Sequence, residues 1–224
     1  MPPWSDIDTA MFDMDGTLLD LHFDNYFWQE FLPQVMAQSQ GISERAAKAI
    51  LEQKSAAVSG TLDWYCLDYW NEQLQLDIHQ LKHQIKHHIA IRPNVEELLR
   101  QLQSQPMQLL LVSNAHPLTL ALKLAHTGID QYFQHCISSH SFNLAKENQG
   151  FWQLLSQKHP YDPRRTILFD DSLAVLKQAK REGIRHLYGI SRPDSHKQAM
   201  YYKDFPMVDD FKDINPAQSP HSPV

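Results

Sequence analysis

Cysteine is scarce in this 224-residue sequence, and a long apolar run is missing from it. The two cysteines, Cys66 and Cys136, lie far apart and fit neither a disulfide framework nor the paired spacing of a zinc knuckle. We interpret both as packing residues in a reducing cytosol. Because no stretch of about 18 apolar residues occurs, a membrane-spanning helix is excluded. The first residues also lack a basic segment followed by an apolar run, so we expect no secretory signal.

Positive charge is in the minority. The chain has 20 lysines and arginines against 26 aspartates and glutamates, which gives a net charge of −6 and an isoelectric point near 6.1. Because a dedicated nucleic-acid binder usually carries a basic face, we expect no nucleic acid polymer as a partner. We also expect no membrane partner and a cytoplasmic location. The negative net charge is compatible with a small anionic substrate, since binding such a substrate needs only local positive charge. The oligomeric state is left open.

Five short apolar runs are typical of buried β-strands, and three of them end abruptly in polar residues. They cover 7–12, 109–112, 136–138, 166–169 and 187–190. Helical patterns separate them at 95–102, between Pro117 and Gly128, from about 150, and at 173–182. We interpret Asn94 as the start of a capping box for the first of these helices. Strands alternating with helices predict an α/β fold: a Rossmann-like, doubly wound parallel sheet with its active crevice at the carboxyl ends of the strands.

The interval 21–91 breaks this alternation, because no strand pattern is convincing there. Its patterns predict helices at 25–38, 43–57, 62–75 and 78–88. An all-helical cap domain would thus be inserted into a Rossmann-like catalytic core formed by 1–20 and 92–215. The segment 216–224 contains three prolines and two serines, so we expect a disordered tail.

Asp13 and Asp15 lie two residues apart where the first strand ends, so both carboxylates can point into one crevice. A carboxylate can attack phosphorus if a metal ion neutralises the charge between it and the phosphate. A second carboxylic acid can protonate the leaving oxygen and later deprotonate water. Gly16 permits a tight turn that aims backbone N–H groups at phosphate oxygens. Taken alone, the same residues are also typical of a simple strand-terminal turn.

Further polar residues lie directly after two other strands and within one loop. Ser113 and Asn114 can bind phosphoryl oxygens next to the start of the following helix. Lys146, in a loop-like stretch, can neutralise both the nucleophile and the phosphate. Asp170 and Asp171 repel each other unless a cation offsets their charge, and such oxygen ligands suit Mg²⁺. Each residue also has an ordinary structural explanation, so it is their shared position at strand ends that favours an active site.

These residues and their order resemble the motifs of the haloacid dehalogenase-like hydrolases, over nearly the whole chain from about 7 to 211. FDMDGTLLD resembles the first motif, LLLVSNA the second and LFDDS the fourth. Lys146 is the best match to the third motif, although proline usually follows that lysine and Glu147 does so here. The all-helical insertion between the first two motifs is similar to the first cap type of that family.

The resemblance implies roles for individual residues. Asp13 would be the nucleophile and Asp15 the acid/base. Mg²⁺ would be held by Asp13, by the backbone carbonyl of Asp15 and by one or both of Asp170 and Asp171. The segment DGTLLDLHFDNYFWQEFLP is also similar to bacterial 5′-nucleotidases that act on GMP and IMP. This implies a small phosphorylated metabolite as partner, a purine nucleoside 5′-monophosphate. Some aromatic residues of the insertion can stack on a purine ring, but most are better explained as the core of the insertion itself.

Other activities use similar residues. A sugar-phosphate phosphatase or a phosphomutase would use the same set, and a phosphomutase would have to exclude water. A dehalogenase needs no acid for a departing oxygen, so Asp15 argues against it. A receiver-like phosphoacceptor switch also combines acidic residues, a hydroxyl and a lysine. Such a switch would have its acidic pair before the phosphorylated aspartate and would lack the helical insertion.

Histidines recur every fourth residue at His79, His83 and His87. This spacing places imidazoles on one helix face and can bind a transition metal. Because Lys82 and Lys86 lie among them, we interpret the pattern as a solvated helix face and predict no zinc site there.

Overall fold

A parallel sheet of six strands forms the centre of the computed structural model, which describes residues 1–216. The strands are β1 (Thr9–Phe12), β2 (Gln108–Ser113), β3 (His135–Ser138), β4 (Thr166–Phe169), β5 (His186–Ile190) and β6 (Met207–Val208). Their order is β3-β2-β1-β4-β5-β6, so β1 pairs with β2 on one side and with β4 on the other. The winding direction reverses at β1, and the crevice at such a switch point is where open α/β sheets bind ligands.

Nine α-helices lie in the described residues: α1 (His22–Tyr26), α2 (Leu32–Gln40), α3 (Glu44–Val58), α4 (Leu67–Leu74), α5 (Ile78–Gln84), α6 (Val95–Gln103), α7 (Pro117–Thr127), α8 (Phe151–Lys158) and α9 (Leu173–Arg181). Six of them, α1 to α6, lie between β1 and β2, and the first five fall within residues 21–91. None of the helices in the described residues has the length and apolar character that a membrane span requires.

The two faces of the sheet pack into separate hydrophobic clusters, because successive residues of a strand point to opposite sides. Phe12 and Phe169 enter one cluster with Val95 and Leu98 of α6 and Leu120 of α7. The second cluster contains Met11, Leu110 and Leu168, packed with residues of α8 and α9: Phe151, Trp152, Leu155, Val175 and Leu176. Helices therefore cover both faces, and the predicted doubly wound parallel sheet is confirmed.

Some predicted element boundaries are wrong. The short strand β6 was not predicted, because two residues give no periodicity. Cys66 is extended (φ −84°, ψ 117°) and separates a 3-10 turn, Leu62–Tyr65, from α4, so no single helix covers 62–75. The capping box at Asn94 is also wrong: this residue has φ 62°, makes no side-chain cap and donates instead to Asp210 Oδ1 at 2.7 Å.

The helical insertion leaves and re-enters the sheet through two connectors that lie side by side. Asp20 N donates to Ala90 O at 2.9 Å, and Leu19 forms an antiparallel bridge with Ile91. Most of the predicted tail, residues 217–224, lies outside the described residues. The two connectors bring both ends of the insertion to the carboxyl end of β1, next to Asp13.

Candidate active site

Asp13 directly follows β1 at the switch point of the sheet. Its backbone N–H donates to Phe169 O at 2.9 Å, and its side chain is almost fully buried. Gly16 closes the turn that follows, with φ 81°. A Cβ at Gly16 would lie 2.5 Å from Asp171 Oδ2, so only glycine lets this turn approach the acidic group of β4.

Lys146 lies between the carboxylates of two strands, with its side chain 2% exposed. Its Nζ donates to Asp13 Oδ1, to Asp170 Oδ2 at 2.7 Å and to Val112 O at 3.0 Å. Burial disfavours the charged ammonium, but the two carboxylates raise the pKa of Lys146 above its ordinary value. The structure therefore brings Lys146 together with Asp13, 133 residues before it, and with Asp170, 24 residues after it.

The carboxylates of Asp13, Asp170 and Asp171 lie close together. One oxygen each from Asp13, Asp170 and Asp171 lies within 4.8 Å of the others. Burial raises the pKa of Asp13 to about 7, and the charge of Asp170 adds to the rise while Lys146 opposes it. Burial, Asp13 and Asp170 raise the pKa of Asp171 well above its ordinary value. One ammonium group does not balance three carboxylates, so oxygen ligands, burial and excess negative charge together fit a hard divalent cation.

Ser113 and Asn114 end β2 on the neighbouring side. Ser113 Oγ accepts a hydrogen bond from Ala115 N at 3.0 Å, which leaves its hydroxyl hydrogen available to a ligand. Asn114 bridges two parts of the Lys146 loop: its Oδ1 accepts from Lys146 N at 2.8 Å, and its Nδ2 donates to Glu147 Oε2 at 2.8 Å. Both residues line the same cavity as Asp13 and Lys146.

A family model of the haloacid dehalogenase-like hydrolases matches residues 7–183, which include all of these side chains. The chain belongs to this hydrolase family. This haloacid dehalogenase-like site departs from the family pattern at one residue: Glu147, rather than the expected proline, follows Lys146. Glu147 instead receives hydrogen bonds from Asn114 and from Tyr65 of the insertion, so the departure adds a contact across the cavity.

Relatives of this haloacid dehalogenase-like hydrolase include a nucleotidase and other phosphatases. The chain is 39% identical over 214 residues to the GMP/IMP nucleotidase YrfG of Escherichia coli strain K12, covering 96% of each chain. It is 21% identical over 194 residues to a phosphorylated carbohydrates phosphatase of Thermotoga maritima, covering 82% of this chain and 85% of the relative. A crystal structure of a phosphatase of the same family from Thermococcus onnurineus has the same fold, with a TM-score of 0.77 at 21% identity over 93% and 96% of the two chains.

Sequence reasoning did not predict a series of ion pairs beside Asp15. Lys123 on α7 donates to Asp15 Oδ1 at 2.5 Å and to Asp24 Oδ2, and Lys82 donates to Asp24 Oδ1 at 2.9 Å. Both lysines are buried, so the interpretation of Lys82 as part of a solvated helix face is wrong. For Lys123 a signal existed: it is the only charged residue between Pro117 and Leu124, in an otherwise apolar helix.

A cavity of about 780 Å³ joins the acidic site to the helical insertion. Aromatic side chains of the insertion form part of its wall: Trp28, Trp64, Tyr65 and Trp70. Polar residues of the insertion also line it, among them Asn25, Lys48, Glu52 and Ser55. This volume suits a small-molecule ligand that reaches from the sheet edge into the insertion.

Proposed function

We propose that this enzyme hydrolyses a phosphate monoester with Asp13 as nucleophile and Asp15 as general acid and base. The observation that carries the proposal is the position of Asp13. Lys146 contacts its carboxylate directly, and the carboxylates of Asp170 and Asp171 lie beside it. Attack by Asp13 forms an O–P bond as the ester O–P bond breaks. Asp15 gives its proton to the departing oxygen and later takes one from the water that hydrolyses the aspartyl-phosphate.

Mg²⁺ is the proposed cofactor, and the residues fit it because their donors are oxygens in a buried, negatively charged group. Asp13, the backbone carbonyl of Asp15, and Asp170 with Asp171 would hold it. When bound, it would polarise the phosphoryl group and offset the charge of the carboxylates. Lys146 contributes a fixed positive charge, the Ser113 hydroxyl and Asn114 contribute polar groups for the phosphoryl oxygens, and Gly16 keeps the turn close to Asp171.

The proposed substrate is a purine nucleoside 5′-monophosphate, GMP or IMP. The 39% identity to a GMP/IMP nucleotidase over 96% of both chains supports this. The aromatic walls of the cavity support it as well, since a purine ring stacks on indole and phenol rings. We also propose a cytoplasmic location, which the two free cysteines support because thiols stay reduced in the cytosol.

We further propose that 21–91 acts as a cap domain over a core of 1–20 and 92–215. The paired connectors at Asp20 and Ala90 support these boundaries, because both ends of the insertion leave the core at one place. The cavity between the insertion and the sheet edge is what such a cap would close during turnover.

Phosphate release from nucleotides and sugar phosphates in the presence of Mg²⁺ tests the proposal. We expect turnover to be abolished by Asp13→Asn and by chelation of divalent metal, while Asp204→Asn, at an exposed position, stays at the wild-type rate. Wild-type rates in Asp13→Asn would show that the nucleophile is another residue. Transfer of phosphate between sugar positions without release would favour a phosphomutase, and a phosphoprotein that lasts minutes without turnover would favour a receiver-like switch.

Substrate preference is tested separately with GMP, IMP, CMP and glucose 6-phosphate. We expect kcat/KM to be highest for the two purine nucleotides. Equal values for all four would refute the purine preference and leave phosphatase activity intact, and a preference for glucose 6-phosphate would favour a sugar-phosphate phosphatase.

A further inference from the structure

A second group of metal-ligating side chains lies apart from the acidic site and consists of Cys66, His116 and His140. One donor atom of each lies within 4.8 Å of the other two. Cys66 precedes α4 in the insertion, His116 precedes α7, and His140 lies in the 3-10 turn Ser139–Phe142 after β3. Residues that are distant in sequence are thus brought to one point where the insertion meets the sheet edge.

We propose that Cys66, His116 and His140, with Asp68 as fourth ligand, bind a divalent ion of borderline softness, with Zn²⁺ as the type. Sulfur, imidazole nitrogen and carboxylate oxygen are the donors of four-coordinate zinc sites. His116 Nε2 lies 3.6 Å from Asp68 Oδ2. Two ligands bound at about 2.1 Å in a tetrahedral shell lie roughly 3.4 Å apart, so this pair needs little movement.

His140 supplies an independent observation. Its Nε2 is buried and has no hydrogen-bond partner in the described residues. Buried polar atoms are normally paired, and an unpaired one requires an explanation. A neutral imidazole with an unpaired ring nitrogen is the form that binds a metal ion.

His116 needs one rearrangement. Its Nδ1 accepts a hydrogen bond from Leu118 N at 3.3 Å, which leaves the ring proton on Nε2. Binding of a metal through Nε2 moves that proton to Nδ1 and gives up the bond from Leu118. Because Leu118 is exposed and its N–H lies in the first turn of α7, water can replace this acceptor.

The consequence of this site is a link between two parts of the chain. Cys66 and Asp68 belong to the insertion, whereas His116 and His140 follow strands of the sheet. His116 also lines the cavity next to Asn114. A bound ion would therefore hold the turn that carries Trp64 and Tyr65 against the sheet edge. Its sulfur and nitrogen donors distinguish it from the oxygen-only group of Asp13, Asp170 and Asp171.

The site can be tested with Co²⁺ as the probe, added to the full chain in reducing buffer that contains excess Mg²⁺. We expect one Co²⁺ per chain, the intense visible absorption of tetrahedral cobalt and a thiolate-to-cobalt charge-transfer band. Cys66→Ser should abolish the charge-transfer band, and His140→Gln should weaken binding at least about 10-fold. Asp68→Asn, at an exposed position that leaves folding intact, should weaken binding while the sulfur band remains.

Matched controls identify the ligands. Cys136→Ser removes the other cysteine, His79→Gln with His83→Gln removes the helical histidine pair, and Asp13→Asn alters the acidic site. All of these should keep the charge-transfer band and the affinity. The proposal is overturned by absence of the band in the wild type, by its persistence in Cys66→Ser, or by its loss in Cys136→Ser. Loss of binding in the His79 and His83 variant would overturn it as well, and unchanged affinity in Asp68→Asn would overturn the fourth ligand.

Discussion

Lys123 is 1% exposed and contacts both Asp15 and Asp24 through its ammonium group. Burial disfavours its charge, but the two carboxylates raise the pKa of Lys123 above its ordinary value. Burial raises the pKa of Asp15 to about 6, while Lys123 lowers it. We infer that Lys123 is a positioning residue, because it fixes the direction of the Asp15 carboxyl group and acts on the substrate only through that group.

Replacement of Lys123 tests this role by its dependence on the leaving group. Lys123→Met should lower kcat/KM for a nucleoside 5′-monophosphate by about 10²-fold, within the range that general acid–base catalysis contributes. The loss should be much smaller for 4-nitrophenyl phosphate, whose phenolate departs without protonation. Lys177→Met, an exposed lysine of α9, is the control that should leave both substrates unchanged. Equal losses on the two substrates would contradict action through Asp15.

The loop that carries Lys146 also contacts the turn Leu62–Tyr65 and the residues before it. Tyr65 donates its hydroxyl to Glu147 Oε1 at 3.0 Å, and Asn148 Nδ2 donates to Gly60 O at 3.2 Å. Burial raises the pKa of Tyr65, and Glu147 raises it further, so the phenol stays a donor at all physiological pH values. These contacts attach the aromatic wall of the cavity to the loop that positions Lys146.

Loss of the Tyr65 hydroxyl should therefore affect substrate binding more than the chemical step. Tyr65→Phe should raise KM several-fold with little change in kcat, because Lys146 keeps its contacts with Asp13 and Asp170. A double-mutant cycle with Glu147→Gln should give a coupling of about 0.5–3 kcal/mol, as expected for residues in contact. Tyr69→Phe in α4 serves as the matched control. A fall in kcat at constant KM would show that the contact supports catalysis directly.

The carboxylate of Asp20 joins the connector before α1 to the segment after β5. Asp20 Oδ1 accepts hydrogen bonds from His22 N at 2.9 Å and from Ser195 N at 3.1 Å. Burial opposes ionisation, but the hydrogen bonds from Ser195 and His22 outweigh it and hold the pKa of Asp20 below its ordinary value. A carboxyl group of this kind stabilises the fold above its unfolded pKa, and that contribution is lost as pH falls through the folded pKa.

Asp20→Asn should consequently destabilise the protein in a pH-dependent way. We expect the free energy of unfolding to fall by about 1 kcal/mol at neutral pH, because the charge-assisted hydrogen bonds become neutral ones. The difference from wild type should shrink as pH falls below the ordinary pKa of aspartate. Urea unfolding over a pH series measures this, with Asp204→Asn as the control. A difference that is constant over the whole series would show that the charge of Asp20 is irrelevant.

Across the whole molecule, negative charge converges on one end of the sheet. Asp13 follows β1, Asp170 and Asp171 follow β4, and residues of the helical insertion line the cavity that contains these carboxylates. Repulsion among these carboxylates opposes folding unless positive charge offsets it. The stability of the protein should therefore depend on the cation proposed for the active site.

Mg²⁺ should raise the thermal midpoint of the metal-free protein. A ligand present at 100 times its Kd stabilises the folded state by about 2.7 kcal/mol, provided that the unfolded chain does not bind it. Differential scanning calorimetry against Mg²⁺ concentration measures the effect. Asp170→Asn should reduce the shift strongly, whereas Asp204→Asn should retain it. An equal rise of the thermal midpoint in both variants would show that Mg²⁺ binds somewhere other than at Asp13, Asp170 and Asp171.

Much of the architecture was predictable because it follows from local patterns. Short apolar runs that end in Asp13, Ser113 and Asp170 indicated buried strands, and their alternation with helices led to the doubly wound sheet. Parallel strands present their carboxyl ends at the same edge, so the pattern alone also indicated that these side chains meet. The expected closeness of Lys146 to the aspartates rested on the resemblance to a known family, since a single lysine in a loop carries no such signal.

Contacts between distant segments were decided by the tertiary structure alone. Lys123 and Lys82 are buried because Asp15 and Asp24 approach them from other elements, and hydropathy alone assigns lysines to the surface. The spacing of Cys66, His116 and His140 in the sequence likewise does not predict that these three side chains lie close together. The sequence determines which segments become strands and helices, since each residue's preference acts locally. Only packing decides which charged groups become neighbours, because the energy of a buried charge depends on the partners that the fold brings to it.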